Sequence, residues 1–409
     1  MTAWYASRYT GLFSRTTAVP RRPHDPDVFV WSGTLPRWGP DGVELAAGGA
    51  GWDAAGAEAA GVGEAVERWL PQPLPQDHSV EASFDRWPLG EPTVEPERWV
   101  LFDPEQYAQA GFPFAPLTRS SVCRWVCCRH VLTGEPCWAP EEFVFLAPRR
   151  GQPHQFGPTI STGMSCGRAG DPVVLRGLQE VIERDALVGV WWGRYPLEEH
   201  DVGRVLALLG PELLGRLFRP NLRYRCYRVA SPFSEHVTVA TLEGDDREGF
   251  CFSVGSACRE TLIDSWRKSL LEAVQGRHYV RFLKARDAER GAAVEAPDDF
   301  AQHAAFYSYH PERRRATVLE RATAVGERGA TEREDLPRLV ERLGPRPVLF
   351  RLLTPPPLTL EKLGWVVVRV LVPGLQPLHG SHRLPFLGGE MWRPRGLREW
   401  GEMPPHPFP

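Results

Sequence analysis

The chain has 409 residues, of which 42% are hydrophobic and 11% aromatic, enough to bury one large core or two packed halves. A formal net charge of −3 gives no global attraction to nucleic acid or to an anionic membrane. No apolar run approaches the roughly 20 residues that span a bilayer, and the opening MTAWYASRYTGLFSRTT lacks an apolar signal core, so the expected location is the cytoplasm.

In chain order, residues 1–46 form a lead-in punctuated by proline and glycine, in which DVFVW predicts an edge strand packed on a main domain of residues 47–409. The alanine-rich stretch Ala54 to Trp69 predicts a helix with Asp53 as its N-cap, ended by the proline-rich WLPQPLPQ. Strands are expected around RWVLF, SSVCRWVCCRHVL and FVFLA. A second helix follows Asp171 and Pro172, which read as N-cap and first helical residue. Residues 222–256 alternate apolar and polar side chains in three runs, the pattern of a meander. A third helix runs from about Arg259 to Phe282, residues 286–345 read as charged and largely helical, and RPVLFRLLT and GWVVVRVLVPGL read as buried strands. The tail GEMPPHPFP cannot be helix or central strand.

Eight cysteines in so long a chain are too sparse for a disulfide scaffold, so reduced thiols are expected. Cys123, Cys127, Cys128 and Cys137 lack the paired C-x2-C knuckles of a zinc site and are expected as strand cysteines.

One pattern recurs. GEAVERW at 63–69 returns as QEVIERD at 179–185, so Glu64, Glu67 and Arg68, and again Glu180, Glu183 and Arg184, share one helical face at i, i+3, i+4. Gly51 precedes Glu64 by 13 residues and Gly167 precedes Glu180 by the same 13, which points to a duplicated glycine-turn and helix unit. The third helix offers Glu272 and Gln275 at i, i+3. Paired carboxylates repel unless a cation lies between them, and Mg²⁺ takes a few carboxylates and completes its octahedron with phosphate oxygens and water. Converging faces of this kind suit a nucleotide with Mg²⁺, with Arg68, Arg184 and Lys268 available for phosphate charge. No G-x-x-x-x-G-K-[ST] is present, which excludes a Walker-type site as a motif.

The series GGAGWDAAGAEAAGVGEAVERW, STGMSCGRAGDPVVLRGLQEVIERDA, SWRKSLLEAVQGR and VRVLVPGLQPL, with a tail in P-x-P-x-P and YTGLFSRT near the start, resembles the YcaO family. More narrowly it resembles the D-protein cyclodehydratases of thiazole- and oxazole-modified peptide biosynthesis. The resemblance implies a mixed α/β fold of two related halves with motif helices packed on sheets. It implies that a Cys, Ser or Thr side chain of a ribosomally made precursor peptide attacks the preceding amide, that ATP phosphorylates the resulting oxygen, and that loss of phosphate leaves an azoline. Thioamide or macroamidine formation, or a non-catalytic subunit, are the neighbouring alternatives. The family's ATP and Mg²⁺ carboxylates carry over onto Glu64, Glu67, Glu180, Glu183 and Glu272, with Arg68, Arg184, Lys268 and Gln275 as further nucleotide contacts. A ThiF-like partner that captures the leader peptide is implied, and a homodimer is admitted.

Three positions depart from that pattern: Ala50 stands where a lysine is usual, Ala60 where serine is common, and Pro172 where glutamate is common. The tail prolines Pro405, Pro407 and Pro409 stiffen the chain, so docking them loses little entropy, and the expectation is that the Pro409 carboxylate moves protons near the ATP site. A rival reading takes GMSCG as a hydrolase elbow with Ser165 as nucleophile, which requires a helix starting at once after the serine.

Overall fold

The computed structural model describes residues 12–35, 46–73, 77–147, 153–290, 295–326, 331–354, 364–392 and 396–409. The lead-in supplies β1 (Arg15–Ala18) and β2 (Phe29–Thr34), which form an antiparallel sheet with β3 (Ala46–Gly51) in the order β1-β2-β3. The DVFVW segment is therefore central and not an edge, because Arg15–Ala18 folds back over its free side. Next come β4 (Ser79–Ala82), β5 (Cys123–His130), β6 (Pro136–Pro140) and β7 (Met164–Arg168). The meander expected over residues 222–256 is formed by β9 (Arg223–Val229), β10 (Thr238–Asp246) and β11 (Gly249–Ala257), and it is extended by the preceding β8 (Leu197–His200), to which the short β12 (Thr323–Ala324) is added in parallel. Finally β13 (Leu349–Leu352) and β14 (Trp365–Leu371) join the earlier strands in the order β4-β5-β13-β14-β7, with β6 beside β5.

Three long helices each follow a strand. Ala54–Trp69 follows β3, Val173–Trp191 follows β7, and Leu262–Arg290 follows β11. Each packs on its own strand and also touches the strand that opens the next unit: the first helix meets β7, the second meets β11, and the third meets β3. The motif read twice from sequence thus belongs to a plan used three times.

Glycine explains how closely the layers approach. A Cβ on Gly49 would lie 2.2 Å from the Gly61 nitrogen in the first helix, and one on Gly255 would lie 2.2 Å from the Ser269 carbonyl oxygen in the third. The glycines expected to shape a turn before the first helix are instead strand residues whose missing side chains admit helix backbone. Ala50, between them, is buried in the cluster that includes Trp266, Leu270 and Val274 of the third helix. Further clusters lie beneath the second helix, with Leu178, Ile182 and Val370, and beneath the first, with Val62, Val66 and Val367.

Several local expectations change. RWVLF holds a 3-10 turn, Pro96–Trp99, and FVFLA overlaps a one-turn helix, Glu141–Val144, since a short buried apolar run carries no period that separates strand from helix. Pro172 occupies the N-cap position of the second helix, while the Asp171 carboxylate accepts from the Arg168 N–H and caps the preceding turn. Asp53 caps the first helix as expected, accepting from the Gly56 N–H at 2.7 Å. The third helix continues to Arg290. All eight cysteines are free, Cys128 and Cys137 being buried partners across β5 and β6 and Cys123 and Cys127 half-buried. No helix among the described residues is long and apolar enough to cross a membrane.

Gly255→Ala should destabilise the protein by about 1–3 kcal/mol, because the Cβ meets main chain that has no rotamer to yield. Gly215→Ala, in the helix Pro211–Leu217 where a Cβ meets nothing within 4 Å, should instead gain about 0.5–1 kcal/mol. Urea unfolding midpoints of the two variants would show opposite signs.

Candidate functional site

The three strand-helix units bring the predicted acidic faces together. Glu64 and Glu67 lie one turn apart late in the first helix, Glu180 and Glu183 in the middle of the second, and Glu272 midway along the third. Their hydrogen bonds sort them into two groups. Glu64 is committed: its Oε2 accepts the Gly48 N–H at 2.7 Å and its Oε1 accepts Arg68 at 2.5 Å. Gln275 joins them from the third helix, its Nε2 lying 3.4 Å from where a Cβ on Gly48 would be. Glu183 is committed as well, accepting Ser256 Oγ at 2.6 Å and the Cys258 N–H at 3.1 Å, which ties the second helix to the end of β11.

Glu67, Glu180 and Glu272 form the other group. Lys268 Nζ reaches Glu272 at 3.0 Å, and Arg184 stands 3.8 Å from Glu180. The Glu180 and Arg184 side chains are 26% and 23% exposed, so the group faces a half-open surface. Burial, with the Glu180 and Glu64 carboxylates, raises the Glu67 carboxyl well above the usual range. Burial likewise pushes Glu180 up to about 7, Glu183 adding to the rise and Arg184 opposing it. Glu272 moves the other way: burial works against its charge, but Lys268, Arg259 and Arg184 hold it low. Burial also disfavours the charge on Arg184, yet Glu183, Glu180, Glu272 and Glu67 together keep it firmly protonated. One guanidinium is thereby the common counterion of carboxylates from all three helices.

Two cations escaped assignment from the sequence. Arg259, just after β11, sits close enough to Glu180 and Glu272 to lower both. Arg369 in β14 is only 3% exposed and faces Glu180 and Glu67. Its signal was visible as the lone charge in the apolar strand WVVVRVL, a placement that a buried strand tolerates only where opposite charge waits. Ser165 lies in the middle of β7, 6% exposed and paired with Val368, and the helix starts only at Val173, so the hydrolase elbow is not formed.

Among the described residues no three histidine, cysteine or carboxylate side chains form a ready-made metal cage. The residues nevertheless fit Mg²⁺ carried by a nucleotide, since burial and neighbouring carboxylates disfavour charge on Glu67 and Glu180, a cost that a cation would offset, and Mg²⁺ needs only one or two carboxylates when phosphate supplies the rest.

The tail has no regular structure but is docked. The Pro404 carbonyl accepts Trp191 Nε1 at 2.8 Å, the Pro405 carbonyl accepts the Tyr307 hydroxyl at 2.6 Å, and the His406 carbonyl lies 2.7 Å from His303 Nδ1. Phe408 is 1% exposed and packs edge-on against Trp191 at the end of the second helix, while Pro409 is exposed. His303 and His406 stack at 3.8 Å, and His379 meets His406 at 4.7 Å.

A family model described as YcaO cyclodehydratase, ATP- and Mg²⁺-binding, matches residues 48–376. No curated protein matches the chain by sequence. Among solved structures, the chain is similar to YcaO from Methanopyrus kandleri bound with AMPPCP and Mg²⁺, at 22% identity and a TM-score of 0.57, over 89% of this chain and 86% of that one. It is similar to a heterocyclase in complex with substrate and cofactor, at 15% identity and a TM-score of 0.69, covering 99% of this chain but 56% of that one. It also resembles the E. coli microcin synthetase McbBCD complex, at 14% identity and a TM-score of 0.60, over 96% of both chains.

The histidines around the tail make its seat acid-sensitive. Burial lowers His303 to about 3 and His382 to about 4, and drives His379 and His406 well below the ordinary 6.5. Between pH of about 6.5 and about 4 the unfolded chain binds protons that the folded one refuses, so stability falls as pH falls through that window. Denaturation midpoints measured across it should drop toward acid, and His303→Phe should flatten the slope.

Proposed function

Because the chain belongs to the YcaO family, we propose that it is the ATP- and Mg²⁺-dependent cyclodehydratase subunit that activates backbone amides of a ribosomal precursor peptide and closes thiazoline or oxazoline rings. The observation that carries this reading is the convergence of Glu67, Glu180 and Glu272 from three helices around Arg184. ATP, when bound, supplies the phosphoryl group that makes the amide oxygen a leaving group. Glu67 and Glu180 are the carboxylates to face Mg²⁺, since their charges are the least compensated. Arg184, Lys268 and Arg68 offer phosphate-facing cations, and Gln275 stands at the Gly48 edge of the same site. Glu64 and Glu183 act at one remove: Glu64 holds the Gly48 main chain within β3, and Glu183 holds that of Cys258 just beyond β11. Glu272 balances Lys268.

The tail belongs to the same proposal as a segment docked beside the second helix, its carbonyls held by Trp191, Tyr307 and His303. A ThiF-like partner would capture the leader peptide, a reading supported by the likeness to a microcin synthetase solved as a multi-subunit complex. The lead-in, through β1 and β2, would complete the sheet on which the first motif helix rests.

Glu67→Gln and Glu180→Gln should each lower ATP hydrolysis by about two orders of magnitude, the scale of losing one preorganised charge contact. Each should change stability only modestly, because burial already disfavours charge at both positions while Arg369 and Arg184 lose part of their opposite charge. Glu183→Gln should behave differently, losing about 1–3 kcal/mol of stability as one of its two donors is left unsatisfied. Full ATPase activity in the first two variants would overturn the assignment. Residues appended after Pro409 should suppress ring formation, read by mass spectrometry of the peptide, while the fold persists.

A further inference from the structure

Two polar side chains of the second helix, Arg176 and Gln179, have no part in the site so far. They stand at i and i+3, with Glu183 at i+7, so the three form one stripe along the helix. The stripe lies against residues 256–260, the stretch that leaves β11 and leads into the third helix. At one end Glu183 accepts from Ser256 Oγ at 2.6 Å and from the Cys258 N–H at 3.1 Å. At the other, Glu260 closes a ring of hydrogen bonds. Arg176 donates to both of its carboxylate oxygens, at 3.1 Å to Oε1, and also to Gln179 Oε1 at 2.8 Å, while Gln179 Nε2 donates to Glu260 Oε2 at 3.2 Å. Gln179 is fully buried and Glu260 is 6% exposed. The Glu260 main chain is held as well, its carbonyl accepting the Glu334 N–H at 2.8 Å.

Such a ring is a poor source of stability. An ion pair taken out of water loses in desolvation most of what it gains in attraction, and apolar residues of similar volume serve a fold as well or better. What the ring supplies is geometry, because a two-pronged arginine and carboxylate pair with a third member across it is satisfied at one distance and one orientation. The elements it joins are those that carry the site. Glu180 lies one turn beyond Arg176 on the second helix, and the third helix, which begins at Leu262, carries Lys268 and Glu272, 3.0 Å apart. A slip of the β11 exit along the stripe moves that pair relative to Glu180.

We propose that Glu260, with Arg176 and Gln179, is a positioning residue for the phosphoryl chemistry: the ring sets the separation between Glu180 on the second helix and the Lys268 and Glu272 pair on the third. This rests on the reading of the site as ATP-dependent. The ring acts through Glu180, Lys268 and Glu272, and misplacing such groups by about 1 Å costs on the order of a hundredfold in rate. Nucleotide binding, spread over many contacts, tolerates the same displacement.

The test replaces the ring in the full chain with apolar side chains of similar length, Arg176→Met, Gln179→Met and Glu260→Met together, and follows ATP turnover beside urea unfolding. The unfolding midpoint should stay at the wild-type value or rise, while kcat falls about tenfold to a hundredfold and the KM for ATP stays within about twofold. Glu260→Gln, which keeps shape and removes the charge, should lower kcat in the same direction. A triple variant that turns over ATP at the wild-type kcat overturns the proposal. So does one whose loss of activity is accompanied by an equally large loss of stability, the mark of a purely structural ring. If the triple variant does not fold, a folded Glu260→Gln protein with full kcat overturns it. A wild type that hydrolyses no ATP defeats the reading of the site first and this proposal with it, whereas an active wild type beside an unaffected variant defeats this proposal alone.

Discussion

Arg184 lies among Glu67, Glu180, Glu183 and Glu272, and the need to keep those carboxylates together is the constraint on which the architecture rests. Like charges from three helices cannot be crowded by packing alone; each helix has to be held against its own repulsion. The holding is done by main chain. Glu64 accepts from Gly48 in β3, Glu67 is bound to the Cys166 main chain in β7, and Glu183 accepts from Cys258 just beyond β11. Each acid is anchored to the strand or strand end of a neighbouring unit or its own, so the charge cluster and the sheet arrangement define one another.

The glycines serve the same end. With Gly49 and Gly255 bare, helix backbone lies directly on strand backbone, and there is no layer of side chains whose rotamers could let the helices drift. A site that must receive a highly charged ligand then sits on elements whose spacing is set by main-chain contact. Ala50 fits this picture: it is small, buried and packed toward the third helix, and the cations of the site come instead from Arg184, Arg259, Lys268 and Arg369.

What was legible in the sequence was what depends on local spacing. GEAVERW and QEVIERD place their charges on one face by helical geometry, which no tertiary contact can alter. The Asp53 cap, the meander and the buried strands β13 and β14 are equally local. Sheet position was not legible: DVFVW reads as an edge until Arg15–Ala18 is seen to cover it. Nor could the sequence separate Glu183 from Glu67, since the donors on Glu183, Ser256 and the Cys258 N–H, lie more than seventy residues away. Arg369 was quoted within a motif but had no role, because the meaning of a strand arginine depends on which helices the sheet is buried against.

The docked tail has a property that follows from how it is gripped. Its ties to Trp191, Tyr307 and His303 run through successive carbonyls of Pro404, Pro405 and His406, groups that every amino acid possesses. Proline contributes no N–H, so Pro404, Pro405 and Pro407 can only accept along this rail, which keeps it from being drawn into a sheet with another strand. Such a grip reads phase more than side-chain identity. Divergent sequences can share it so long as the count of residues from Trp400, packed beside His379 and His382, to the first carbonyl is preserved. Length is therefore confined throughout this segment, whereas composition is confined only where a side chain is itself seated, at His406 against His303 and His379 and at Phe408 against Trp191.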